Sequence, residues 1–548
     1  MKELKSKLLS LFVIKGFRVN KLNKNEEIVL EYISKKNTVI VSEVVLNTSI
    51  ALRTAQRTLK KLADKNLIEV LGSTKDRSYK RVFNANDSTI NLFVFSSGVL
   101  VGELRYGNGE YVFEYDDTYK GEEFENISKA KINTSVELFS YFENLIPEYD
   151  RRDRLLISKE DIADVLIGLN NSHGALDFIP KYKLFEYKPR YGKRKNWISV
   201  KQTILSTNSF PNLLSAKVDL ADDILNATAN SEHSDLSGYQ TKIDINFDKD
   251  ENIIRESYEA EYLLKPRSLN ESLYFNSDED ETKRYYPYIA INEHLFMSFA
   301  KNELGFDVPY SGILKAKDRD YHYITKRYDR QEGLKYNQVD FAQVMGVKSS
   351  DKYRSSSEDL FHAINNKLSS KEAKLEALKF YYYSYLIKHA DLHLKNIGAL
   401  EIGNKKYILA PLYDLISVGV YNGESSDLGL GMSKPSKKPK NWKMEDFYKL
   451  GTIVGISKLR FKKEARAITK TFLIKMPKYI RTLKEFERTN PLPIQKTRAD
   501  STIDFSAKLE NMFKEKVIQL NKLGIISELE LLDESGGLLS AHKSNKSK

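Results

Sequence analysis

Cysteine is absent from the whole chain, which excludes disulfides, thiolate metal sites and a cysteine nucleophile. Nor does any apolar run approach the ~18–20 residues that a membrane-spanning helix requires. The basic start and the apolar stretch Leu8–Ile14 are too short for a secretory signal and lack its small-residue cleavage site. No membrane partner and a cytoplasmic location are therefore expected. No internal repeat is found. What is left is the composition of an ordinary globular protein, 41% hydrophobic and 30% charged. Its 548 residues exceed what one core can hold and call for about three or four domains of ~100–200 residues each. A formal net charge of +12 favours an anionic partner, nucleic acid or nucleotide.

The densest chemistry runs from His389 to Ser417. Asp391 is followed by Asn396, then by two apolar runs, Ile397–Ile402 and Tyr407–Leu412, split by the turn Gly403-Asn404-Lys405-Lys406. The second run leads to Asp414. A phosphotransferase centre needs one carboxylate beside the accepting hydroxyl, with an Asn amide and a second carboxylate on the metal. A tight hairpin can hold all three. The alternative is a buried hairpin with solvated flanking carboxylates.

Residues 26–84 carry a compact pattern. Glu26–Ser34 and Ser42–Leu46 read as helices, and Ser49 is placed to cap a third, Ile50–Asp64, with Leu52, Ala55, Leu59 and Leu62 as its apolar stripe. Leu67–Leu71 and Tyr79–Phe83 read as strands around a polar tip. Three helices and a basic hairpin make a winged helix-turn-helix, which the run from Ser49 to Val82 resembles. Arg53, Thr54, Gln56 and Arg57 would then face the DNA groove, with Lys75, Arg77 and Lys80 on the phosphate backbone. The other use of such a module is protein contact or dimerisation.

Beyond it, Asn91–Glu103 alternates like one strand and Tyr111–Tyr115 like the next. Residues 181–233 show no legible element. From Ser234 a small loop with Gly238 feeds the strand Ile243–Phe247, and Tyr262–Lys265 ends on a lysine able to meet phosphates as a point charge. Tyr288–Leu304 is a helix carrying Glu293, the kind of acid that anchors a phosphate-binding lysine in kinases. Tyr321–Ile324 runs into Lys326-Arg327-Tyr328, a link between lobes and a seat for adenine. The remainder is mainly helical: Ser356–Asn365, Lys371–Lys388, Met444–Val454, Lys463–Lys475 and 507 to about 532. The tyrosines of Lys371–Lys388 are expected in the core.

From about residue 92 to 530 the chain resembles the HipA family of bacterial serine/threonine kinases, the toxins of HipBA-type toxin–antitoxin systems. The motifs occur in the family's order: VGEL (Val101–Leu104), FENLIP (Phe142–Pro147), RDR (Arg152–Arg154), HGALDFIP (His173–Pro180), GYQTK (Gly238–Lys242), LLKP (Leu263–Pro266), ELGFDVP (Glu303–Pro309), KRYDR (Lys326–Arg330), HADLHLKN (His389–Asn396) and PLYDLIS (Pro411–Ser417). The resemblance implies an α+β multidomain protein: a winged helix (1–87), a HipA-like N-terminal subdomain with its connection (88–233), an ATP-binding lobe (234–337), a helical catalytic lobe (338–533) and a disordered tail (534–548). It makes Asp391 the catalytic base, Asn396 and Asp414 the Mg²⁺ ligands, and Lys265 the ATP phosphate contact. Gly238, Gln240 and Lys242 fall in the phosphate loop, Arg327 and Tyr328 face adenine, and His393 and Lys395 belong to the catalytic loop, Lys395 to steady transferred phosphate.

Two departures stand out. The family's autophosphorylated loop serine is Asp235 here, so Ser237, beside the loop glycine, or Ser234 is expected to take over that regulation. The fused DNA-binding module is the second, since in the family a separate antitoxin binds the operator. The expected partners are a protein substrate, an operator DNA, an antitoxin and a second copy of the chain, because winged helices pair on palindromes. The implied substrates are translation components such as an aminoacyl-tRNA synthetase. Two other readings are a transcriptional regulator whose kinase-like domain senses nucleotide without transfer, and a small-molecule kinase.

Overall fold

The computed structural model describes residues 23–34, 39–65, 68–73, 77–81, 90–107, 109–146, 162–169, 173–191, 209–220, 242–248, 250–257, 260–266, 288–316, 321–331, 333–403, 405–421, 427–432, 441–490 and 504–532. The chain divides into two compact units, one of residues 1–94, 100–139 and 178–187, the other of 95–99, 140–177 and 188–548.

The first unit opens with helices α1 (Lys24–Ser34), α2 (Val41–Thr48) and α3 (Leu52–Asp64). Val29, Leu30 and Ile33, Val44, and Ala55, Leu59 and Leu62 share one buried core, as three amphipathic faces must. Leu52 stays 52% exposed: helical side chains lean toward the preceding turn, and the first residue has none. Ser49 does not cap α3. It ends α2 in the left-handed conformation (φ 56°), and Ala51 precedes α3. Strands β1 (Val39–Ile40), β2 (Ile68–Leu71) and β3 (Ser78–Arg81) form a sheet ordered β1-β3-β2. Lys65 at the end of α3 meets the buried Glu26 of α1 at 2.9 Å.

The stretch expected as one strand from Asn91 is two, β4 (Ile90–Ser96) and β5 (Val99–Gly107). Ser97 and Gly98 between them take φ 50° and 77°, the geometry of a two-residue hairpin, and a serine and a glycine inside an alternating run hid it. With β6 (Glu110–Tyr115), β7 (Asn133–Ser135) and β8 (Leu176–Pro180) they form a sheet ordered β7-β6-β5-β4-β8.

The second unit holds a seven-stranded sheet, β10-β12-β11-β13-β15-β14-β9, built from β9 (Leu213–Leu214), β10 (Lys217–Asp219), β11 (Ile243–Asp248), β12 (Ile253–Glu256), β13 (Tyr262–Lys265), β14 (Ser311–Lys315) and β15 (Tyr321–Lys326). The edge strands β9 and β10 come from the illegible stretch and are too short for alternation to register. Helix α4 (Ile289–Leu304) lies on β14 and β15 and is buried on every side from Ala290 to Ala300.

A ribbon of β16 (Arg330–Gln331) and β17 (Leu334–Lys335) precedes a small sheet, β18-β19-β20, of Gln338–Asp340, Gly398–Glu401 and Tyr407–Leu409. Around it stand α5 (Ser357–Lys367), α6 (Lys371–Leu386), α7 (Met444–Ile453), α8 (Lys458–Thr489) and α9 (Phe505–Lys522). Helix α8 outruns its expected end at Lys475 and continues through Pro477, because Met476, Tyr479, Ile480, Leu483 and Phe486 carry its buried face onward. The α6 tyrosines are core, and their hydroxyls are satisfied: Tyr381 by Ser357 at 2.6 Å, Tyr382 by Thr469 at 2.6 Å and Tyr383 by the Phe296 carbonyl at 3.1 Å.

One buried histidine of α4 should contribute to the acid sensitivity of the fold. His294 Nε2 accepts the Asn212 backbone N–H at 2.9 Å and Nδ1 lies 2.8 Å from Ser311 Oγ, tying the lead-in to β9 to the helix. Burial pushes its pKa down to about 3, against a smaller opposing effect from Ser209. Unfolded protein therefore binds a proton that folded protein refuses between about pH 6.5 and 3. Stability present above about 6.5 falls by about 1.4 kcal/mol for each pH unit below it. His294→Gln should make the dependence of the urea midpoint on pH shallower between 6.5 and 4; an unchanged slope would show that His294 adds nothing to it.

Candidate active site

Lys265 ends β13, opposite Tyr323 of β15, and the residue is almost wholly buried (4% exposed). A charge can be kept there only if it is paired. Nζ donates to both Glu293 oxygens, at 2.8 and 2.9 Å, and to Asp414 Oδ1. The ring of Tyr323 lies 5.4 Å from the same nitrogen. Burial alone would depress the lysine pKa, but Asp414 and Glu293 together outweigh it and raise it. Burial likewise works to raise the Asp414 pKa, yet Lys265 and Lys242 hold it below the usual carboxylate range. For Glu293 burial prevails over Lys265, and its pKa is raised.

Asp414 reaches this position through the hairpin. Strands β19 and β20 pair Ala399 with Leu409 and Glu401 with Tyr407, so residues before β19 and after β20 emerge at one end. There the Tyr413 hydroxyl donates to the Lys395 carbonyl at 2.7 Å. Asp414 takes φ 53°, a left-handed conformation that is uncommon outside glycine and that aspartate tolerates better than most. Three residues on, Ser417 and Asn292 exchange hydrogen bonds at 2.9 and 3.0 Å. That pair fixes the segment against α4, one residue from Glu293.

The loop from His389 to Asn396 follows α6. It closes in a turn of 3₁₀ helix, Leu394–Asn396, where His393 Nδ1 accepts the Lys395 N–H at 3.2 Å. Asn396 Nδ2 donates to the Asp391 carbonyl at 3.2 Å, and the Asp391 carboxylate accepts from the Tyr353 hydroxyl. The Tyr353 ring stands edge-on to His393, 5.0 Å between centroids. Burial pushes the His393 pKa far down, with Lys352 and Lys395 adding to it, so its imidazole is neutral.

Lys395 is buried, with Nζ 2.9 Å from the Asn144 carbonyl and 3.4 Å from Ser349 Oγ. Asn144 Nδ2 in turn donates to the Val347 carbonyl at 2.7 Å, and Glu143 accepts the Ser349 N–H at 2.9 Å. The FENLIP motif thus buttresses the His389–Asn396 loop. Neither that contact nor Tyr353 was read from the sequence, and no periodicity or spacing announces either.

The linker residues differ from each other. Arg327 is buried in ion pairs with Asp244 (3.2 Å) and Asp329 (2.9 Å). Tyr328 stacks on Tyr413 at 5.9 Å and its hydroxyl meets Gln338. Lys242 is buried, near enough to act on Glu293 and Asp414. Gly238, Gln240, Ser234, Asp235, Ser237 and Lys75 lie outside the described residues, as does the Lys80 side chain. In the other unit, Arg53, Thr54, Gln56 and Arg57 are exposed on α3, and Arg77 is exposed before β3.

Asn396 and Asp414 offer an amide oxygen and an ionised carboxylate, hard donors that suit Mg²⁺, which is commonly held by one or two protein oxygens beside substrate phosphates. The residues fit that ion. Among the described residues no cluster of three or more His, Asp or Glu is placed to hold a metal.

An ammonium bridging a helix glutamate and the aspartate beyond a hairpin, with Asp-x4-Asn on the loop before it, is the arrangement of a kinase core. Residues 234–479 match the HipA-like C-terminal domain. A protein of Haemophilus influenzae named "Putative kinase" is 30% identical over 207 residues, covering 34% of this chain and 53% of its own. This chain thus spans about half the length of that relative. The HipA of Shewanella oneidensis MR-1, solved with HipB and its operator DNA, shares the fold: TM-score 0.52 at 18% identity, over 81% of this chain and all of that one. The HipA-like fold is therefore shared well beyond the matched domain. No described helix is long and apolar enough to cross a membrane.

Proposed function

We propose that the chain is an ATP-dependent protein serine/threonine kinase of HipA type, with DNA binding built into its N-terminal unit. The observation that carries the reading is the buried Lys265 held between Glu293 and Asp414. A surface lysine needs no such partners; here three charged side chains from three elements converge at one buried point.

In this reading Asp391 orients the acceptor hydroxyl and takes its proton, and Asn396 holds the Asp391 carbonyl in place. Lys265 offsets negative charge on the nucleotide phosphates, and Glu293 keeps the ammonium aimed. Tyr328, stacked on Tyr413, lines the adenine side, while the buried Arg327 braces the linker through Asp244 and Asp329. Asn396 and Asp414 would hold Mg²⁺, which when bound neutralises phosphate charge. Ser237 and Ser234 are the proposed sites of regulatory autophosphorylation. The proposed protein substrate is a translation component such as an aminoacyl-tRNA synthetase, and the setting a toxin–antitoxin system with an antitoxin partner. The test is Mg²⁺-dependent transfer from labelled ATP by the purified chain to itself and to cell lysate, with phosphosites mapped. Nucleotide binding without any transfer would overturn it.

The three helices and β2–β3 hairpin support a winged helix, with α3 as the element entering the groove. Arg53→Ala and Arg57→Ala should each weaken duplex binding, by about 1–3 kcal/mol where the side chain reads a base and with a salt slope shallower by about one where it meets phosphate. Fluorescence anisotropy on promoter DNA across a salt series measures both. Unchanged affinity in the double variant would assign α3 to protein contact.

A further inference from the structure

The strip Asp427–Gly431 lies along the loop that carries Asp391. Leu428 bridges His389 in parallel. Gly429 sits so close that a Cβ there would come within 2.1 Å of the Leu392 carbonyl and 2.9 Å of the Ala390 carbonyl. Those two residues flank Asp391. The strip is secured at both ends. Downstream, the Gly431 carbonyl accepts the Ser357 N–H at 2.8 Å. Upstream, Asp427 is gripped from α9: Lys516 Nζ donates at 2.7 Å and Gln519 Nε2 at 2.8 Å. The Lys516 and Asp427 side chains are 0% and 2% exposed, and the ring of Tyr385 lies 4.0 Å from the ammonium. An ion pair so deeply buried is poor value as a source of stability, since a well-packed apolar pair does as well or better. What it does supply is a fixed direction.

We infer that Lys516 is a positioning residue of the active site: through Asp427 it presses Gly429 onto the peptides on either side of Asp391 and so aims that carboxylate. The catalytic assignment of Asp391 rests on the kinase reading above; the mechanical link from α9 to the loop does not. Asp427 and Gly429 act in the same chain of contacts, and neither touches the reacting atoms.

The experiment has two readouts on the full chain. Hydrogen exchange of residues 389–396, followed by mass spectrometry in nucleotide-free protein, should quicken about 10-fold or more in Lys516→Met, while exchange in β13 and β15 stays as in wild type. In transfer assays the same variant should lose about 10–100-fold in kcat, the scale of a misplaced catalytic group, with KM for ATP within about twofold. Lys516→Arg, which keeps the charge, should restore both. Asp427→Asn serves if Lys516→Met does not fold. Unaltered loop exchange, or exchange that rises equally in the sheet, would overturn the inference and leave Lys516 a plain structural lysine. If wild type transfers no phosphate, the kinase reading fails while the exchange comparison still decides whether α9 holds the loop.

Discussion

Asp391→Asn should lower phosphoryl transfer by about 10²–10⁴-fold, the usual contribution of a positioned general base, while ATP binding stays within about twofold. The amide matches the carboxylate in shape, so the backbone bond from Asn396 at 3.2 Å and the loop it closes should persist. Only the proton acceptor is lost. In the proposed reading the nucleotide contacts belong to Lys265 and its partners on other elements, which is why affinity should survive. Rapid-quench transfer and a binding titration, run side by side on both proteins, separate the two effects. Equal transfer by the variant would remove Asp391 from the chemistry and, with it, the reading of the loop.

Lys265→Met has the other large expected effect, on stability as well as activity. It leaves two carboxylates in a site where Lys265 and Glu293 are 5% and 3% exposed. Breaking a buried pair by removing one partner typically costs about 3–5 kcal/mol. The folded protein would protonate Glu293 rather than keep both charges, because burial already raises that pKa and Lys265 was the chief group opposing it, with Lys242 a lesser one. Lys265→Met should therefore lose more stability at pH 8 than at pH 6, since protonation offsets the loss only at the lower pH. The double variant Lys265→Met/Glu293→Leu should recover a part of the loss yet bind no ATP tightly. Guanidinium unfolding at the two pH values tests both statements. A single variant as stable as wild type at pH 8 would mean water reaches the site freely.

Much of this arrangement was legible in the sequence, for definite reasons. Asp391, Asn396 and Asp414 could be singled out together because a five-residue step and a short hairpin are local patterns. Lys265 and Glu293 were found because each sits on an element with clear periodicity, a strand end and a helix. Other features were hidden for equally physical reasons. The break at Ser97-Gly98 lies within an alternating run, so period alone could not place it. Edge strands β9 and β10 are too short to show a period. Helix α8 passes through Pro477 because tertiary packing continues beyond it, overriding the local penalty. Least legible were the long-range props of the His389–Asn396 loop. Asn144 sits 251 residues before Lys395 and Lys516 sits 89 after Asp427, and single-sequence patterns carry no information at such separations.

The order of those props along the chain sets a timetable. The ribosome delivers Asn144 first, Asp391 much later and Lys516 near the end of the described residues, at roughly 5–20 residues per second. Until α9 has emerged, Asp427 lacks the Lys516 ammonium, and the strip bearing Gly429 is held without it, by contacts such as those with His389 and Ser357. A chain that still lacks α9 would thus carry every residue of the proposed reaction without the Lys516 grip on Asp427. For a protein whose proposed targets include the machinery that is making it, the late arrival of that last helix would act as a safety catch during its own birth.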